Sequence, residues 1–113
     1  VNTLRVGERD IALDKDGYLK QLSDWDRDVA TALAAQAGIV LGEAHWAVID
    51  VLRGFYAEHR VSPATRVLVK AVGRALGADK GSSACLMQLF PAQQSPALVI
   101  AKIAGLPRPT NCL

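Results

Sequence analysis

The spacing of apolar residues changes once along this chain. Up to about residue 14 they alternate: Leu4 with Val6, and Ile11 with Leu13, can each share a face two residues apart. Gly7-Glu8-Arg9-Asp10 between the pairs reads as a turn. The segment is therefore expected to form a β-hairpin over about residues 3–14, closed by Asp14-Lys15-Asp16-Gly17. Tyr18 and Leu19 then lead back towards a core.

Beyond that point the apolar residues recur at three- and four-residue intervals, the period of a helix with one buried face. Ser23 followed by Asp26 resembles a capping box with Asp in place of Glu, opening a helix that buries Val29, Ala30, Leu33 and Ala34 and ends near Gly38. A second helix is expected from Glu43 to His59, with Trp46, Ile49, Leu52, Phe55 and Tyr56 on its core face. Gly54 within it costs about 1 kcal/mol relative to Ala, so close packing is expected there. Ser62-Pro63 carries the start signal of a third helix, with Leu68, Val72, Ala75 and Leu76 inward and Gly77 at its end. Ser82 or Ser83 opens a short helix through Leu86 and Leu89 that stops before Pro91. Ser95-Pro96 opens the last, held down by Leu98, Val99 and Ile103. The pattern predicts a mainly α fold: a compact helical bundle with a small N-terminal hairpin, forming one domain over residues 1–104, and a flexible C-terminal arm over residues 105–113.

With 113 residues, half of them hydrophobic, the chain can build a modest core unaided. No apolar run approaches a membrane span. The first residues lack the basic and apolar segments of a signal peptide, so a cytoplasmic location is expected. A net charge of +2 is too small to announce nucleic-acid binding, and two cysteines and two histidines offer no metal-ligand spacing. Neither a metal nor a cofactor is expected.

The chemistry concentrates in the tail Gly105-Leu106-Pro107-Arg108-Pro109-Thr110-Asn111-Cys112-Leu113. Two prolines resist helix and strand alike, and roughly nine extended residues reach about 30 Å. A thiol near the tip of such an arm can enter a partner's site, whereas a frayed end with an incidental cysteine is the bland alternative. The terminal carboxylate opposes formation of the Cys112 thiolate, and Arg108 and Lys102 offset it only where the arm folds back near them. Arg66, Lys70 and Arg74 recur every four residues and stack on one face of the third helix. Such a row is either a solvated face or an anion-binding stripe, which Lys102 could join. Cys85, beside Leu86, reads as a small core hydrophobe or as a second thiol for Cys112.

Several segments together resemble the DsrC/TusE family: Asp16-Gly17-Tyr18-Leu19, His45-Trp46, Ser62 through Lys70, Leu89-Phe90-Pro91, and Lys102 through Thr110 with Cys112. The resemblance covers nearly the whole chain. It implies a small carrier of persulfide sulfur on Cys112, with a compact helical body and a mobile arm. The TusE-like branch receives sulfur from an upstream sulfurtransferase complex and passes it to a tRNA thiolase making wobble 2-thiouridine. The DsrC-like branch serves dissimilatory sulfite reductase through a second arm cysteine eleven residues upstream, where this chain has Ala101. The chain therefore resembles the single-cysteine branch, and it departs from the family in placing Cys85 where an aromatic residue is expected. Arg66 and Lys70 lie within the matching segments as candidates for docking the arm or a partner, and Arg74 extends their face.

Two other readings remain at this point. A DsrC-like partner of sulfite reduction or sulfur oxidation is disfavoured by Ala101. A helix-turn-helix-like DNA-binding regulator would use the corner His59-Arg60-Val61-Ser62 and the stripe Arg66, Lys70 and Arg74. Direct contact with tRNA is left open.

Overall fold

The computed structural model describes residues 2–91 and 96–109. The hairpin is present, with β1 (Asn2–Val6) antiparallel to β2 (Arg9–Leu13) and Leu4 opposite Ile11. Leu4, Val6, Ile11 and Leu13 are all buried, as their alternation requires. The turn is tighter than the sequence suggests. Gly7-Glu8 alone forms the loop, and Arg9 and Asp10 pair with Val6 and Arg5 as part of β2. Arg9 is thereby brought to Asp26, 3.0 Å away. The expected turn after β2 forms on the Asp14 carboxylate, which accepts from the Asp16 and Tyr18 amides at 2.9 Å. Leu19 then bridges back to Leu13.

Among the described residues five α-helices follow: α1 (Arg27–Gln36), α2 (Glu43–His59), α3 (Thr65–Leu76), α4 (Ser83–Leu89) and α5 (Pro96–Ile103). The bounds of α2 and the inward residues of α1 agree with the periodicity. α5 packs against each of the other four helices. Pro96, Ala97, Val99, Ile100, Ala101 and Ile103 are buried on it, as a helix apolar on nearly every side must be at the centre of a bundle. Leu98, expected inward, is only half-buried. Ser95, expected to cap α5, lies outside the described residues.

Two expected caps are displaced. Asp26, not Ser23, opens α1, accepting from the Val29 amide at 2.9 Å. Ser23 sits in a single 3-10 turn, Leu22–Asp24, and Trp25 after it is extended. That extension turns the indole inward, so the helix cannot begin before Asp26. Backbone donation from Val29, and then the Arg9 guanidinium, hold the Asp26 carboxyl below its ordinary value. Ser62 does not cap α3, which begins at Thr65 without a side-chain cap. Ser82 does cap α4, accepting from the Cys85 amide at 3.1 Å.

The close packing expected at Gly54 is absent. A Cβ there would meet nothing within 4 Å. Ala75 is likewise exposed rather than inward.

Candidate functional site: the root of the arm and the α2–α3 face

The arm starts as part of the body. α5 ends with Gly105 at φ +72°, and the Gly105 and Leu106 amides return to the carbonyls of Lys102 and Ala101 at 3.1 and 3.0 Å. This is a paired glycine-dependent helix end with an apolar residue just beyond it, and Leu106 is buried. Three side chains distant in sequence then take carbonyls from the end of α5 into the arm. The Trp25 indole Nε1–H donates to Ile103 at 2.9 Å, Arg53 Nη1 to Ala104 at 2.6 Å, and Ser62 Oγ to Pro107 at 2.6 Å. The Arg53 guanidinium also lies 3.8 Å over the Trp25 ring, a cation–π stack that fixes both donors. Burial pushes the Arg53 pKa down, with Asp50 partly opposing the shift. Gly105 has to be glycine, because a Cβ would run into the Trp25 ring.

Further along, Arg108 Nη1 approaches Asp16 at 3.4 Å, and Pro109 is buried. Lys102 lies 5.3 Å over the Tyr18 ring and against Gly17. Tyr18 in turn donates its hydroxyl to the Leu98 carbonyl at 3.0 Å. The hairpin's closing turn and the arm are therefore joined. Residues 105–109 lie along the body, and Cys112, with the rest of residues 110–113, lies outside the described residues.

The cations singled out in the sequence do not form one patch. Lys102 and Arg108 meet the Asp16–Tyr18 turn, so Lys102 does not join the α3 stripe. Lys70 and Arg74 line a groove of about 600 Å³ between α2 and α3. Arg66 faces a smaller depression of about 250 Å³ with Thr65, Val69 and Ser83. The Thr65 hydroxyl there is buried without a hydrogen-bond partner among the described residues. Cys85 is half-buried rather than enclosed.

Reading the sequence missed Trp25, Arg53, Ser62 and Asp16 as the holders of the arm. Arg53 had a visible signal, since it stands between Leu52 and Tyr56 on the inward stripe of α2, where an unpaired charge is costly. His45 also has a structural task. Its Nδ1 accepts from the Gly42 amide at 3.0 Å and its Nε2 meets the Leu89 carbonyl at 2.7 Å, joining the start of α2 to the end of α4.

Comparison with known proteins gives this architecture a lineage. The family described as DsrC like protein matches residues 5–113. The chain belongs to the DsrC-like family. A protein from Haemophilus influenzae named Sulfurtransferase TusE homolog is 47% identical over 110 residues, covering 97% of this chain and 99% of that protein. Sulfurtransferase TusE of Sodalis glossinidius is 48% identical over 104 residues, covering 92% and 94%. Among solved structures, the NMR structure of DsrC from Allochromatium vinosum superposes with a TM-score of 0.88 at 45% identity, covering 99% of this chain and 98% of that one. The oxidised γ-subunit of dissimilatory sulfite reductase (DsrC) from Archaeoglobus fulgidus does so at 0.85 and 37%, covering 99% and 100%. The hairpin-plus-bundle architecture of these relatives is the one expected from the sequence. No described helix is long and apolar enough to cross a membrane, and no group of metal-ligating residues is found among the described residues.

Proposed function

We propose that this protein is a sulfur relay of the TusE kind, carrying persulfide sulfur on Cys112 towards 2-thiouridine in tRNA. The observation that carries the reading is the identity of 47–48% over nearly the full chain to proteins named sulfurtransferases. It is joined by an arm that carries one cysteine, with Ala101 of α5 standing eleven residues upstream of it. Alanine carries no thiol, so neither a disulfide nor a bridging trisulfide at that spacing is available.

The chemistry needs one thiol and two partners. The Cys112 thiolate attacks the outer sulfur of a donor cysteine persulfide, the donor S–S bond breaks, and the donor leaves as a thiolate. A second thiolate, on the acceptor, then attacks the outer sulfur now on Cys112 and releases Cys112 as a thiolate. Each step exchanges one S–S bond for another with no net oxidation. The body's contribution is position: Pro109 is buried against it, and Cys112 follows only three residues later, a covalent reach of at most about 11 Å. An upstream sulfurtransferase complex as donor, a tRNA thiolase as acceptor and a cytoplasmic location complete the reading. Arg66, Lys70, Arg74, Lys102 and Arg108 serve docking rather than chemistry. Neither the sulfite-reductase reading nor the DNA-binding reading is favoured by the sulfurtransferase relatives.

The test is complementation of a bacterial strain lacking its own protein of this kind, with 2-thiouridine measured in digested tRNA. The wild-type protein should restore the nucleoside and Cys112→Ser should not. Failure of the wild-type protein, or rescue by Cys112→Ser, would overturn the reading.

A further inference from the structure

Gly54 poses a question that the fold leaves unanswered. A glycine inside α2 costs about 1 kcal/mol relative to alanine, and a close neighbour is the usual reason to retain one. Here nothing in the chain comes near: a Cβ would find open space within 4 Å. Gly54 instead lines the α2–α3 groove. Its floor is apolar, with Val51 and Phe55 from α2 and Val67 and Ala71 from α3. Val67 leaves 43% of its surface to solvent although it is large and apolar.

The rims are charged in opposite senses. Asp50 and Glu58 stand on the α2 side, and Lys70 and Arg74 on the α3 side. None of the four forms an ion pair within 4.0 Å among the described residues, and Asp50 feels a nearby cation, Arg53. A polyanion would meet repulsion along the whole α2 rim, so RNA and DNA fit poorly. A protein helix fits well, with a small apolar ridge over Gly54, acidic residues towards Lys70 and Arg74, and basic residues towards Asp50 and Glu58. The groove's end at Glu58, His59 and Val67 also adjoins the α2–α3 corner, whose Ser62 holds the arm at Pro107. A partner seated there lies beside the root of the arm.

We infer that the α2–α3 groove is the docking surface for a helix of the sulfurtransferase that loads this protein. The inference rests on the relay reading and deepens it. The mixed rims select the donor over an acceptor that brings tRNA phosphate with it. Gly54 leaves open the space that the partner's helix occupies.

The test measures sulfur transfer from the purified donor complex at varied concentrations of this protein. Gly54→Trp fills the groove without touching the core, and Lys70→Glu with Arg74→Glu reverses one rim. Unfolding temperatures verify that each variant is folded. Either variant should raise KM for the carrier by about tenfold or more with little change in kcat. An unchanged KM in the folded variants overturns the docking surface, as does an effect confined to transfer from carrier to thiolase. Wild-type protein that accepts sulfur from inorganic polysulfide but from no sulfurtransferase defeats the relay reading itself, which separates the two failures.

Discussion

Two faces of this molecule treat their polar groups in opposite ways. At the root of the arm, the carbonyls of Ile103, Ala104 and Pro107 each receive a donor from a different element, and Gly105 is pressed against Trp25. On the α2–α3 face, Lys70 and Arg74 have no ion-pair partner among the described residues, and Gly54 faces open space. The first face is completed within the chain, since an unmade buried hydrogen bond would cost more than the made one contributes. The second is completed only from outside. A relay protein needs both, a firm base from which its thiol is presented and a surface that selects where it is presented.

The two glycines break this comparison most directly, because the same substitution should act in opposite directions. Gly105→Ala places a Cβ at φ +72° and into the indole, and should destabilise by about 2–4 kcal/mol in urea unfolding. Arg53→Met comes next. It keeps an unbranched apolar stem but leaves the Ala104 carbonyl without its donor and Trp25 without its cation. A loss of about 1–3 kcal/mol is expected, again by urea unfolding. Gly54→Ala should stabilise by up to about 1 kcal/mol. A loss of stability there would mean that α2 has a hidden reason for its glycine.

The smallest effect tests the hairpin's link to the start of α1. The folded Asp26 carboxyl titrates below its ordinary value of 3.8. Its share of stability is therefore complete above the unfolded pKa and lost as pH falls through the lower folded value. Asp26→Asn, which still caps α1, should show a shallower fall in unfolding temperature between about pH 5 and pH 2 than the wild-type protein. Parallel acid profiles would remove Asp26 from the account.

The sequence was most informative where structure is local. Alternation at Leu4, Val6, Ile11 and Leu13 is a property of adjacent residues, and so are the span of α2 and the Ser82 cap. It misled where a distant group competes for a local one. Ser62 precedes a proline as a cap should, yet its hydroxyl is taken by Pro107 from the other end of the chain. Ser23 loses its helix because Trp25 turns inward to reach Ile103. Gly54 suggested burial because helical glycines usually mark close approach, and periodicity cannot say whether the approaching atoms belong to the same molecule. For the proposed site, spacing singled out Cys112 and the cations as candidates, while the holders of the arm's root stayed hidden because each acts on a backbone carbonyl, which leaves no mark in the pattern. Only the charge of Arg53 on an apolar stripe gave notice.

The measurement that bears most directly on the central claim is peptide-level mass spectrometry of the protein after incubation with a cysteine desulfurase and the candidate donor sulfurtransferases. One added sulfur on Cys112, released by reductant and absent from an equally stable Cys112→Ser variant, is the predicted result. Sulfur on Cys85 alone, or on neither cysteine when the donor is demonstrably loaded, would contradict it.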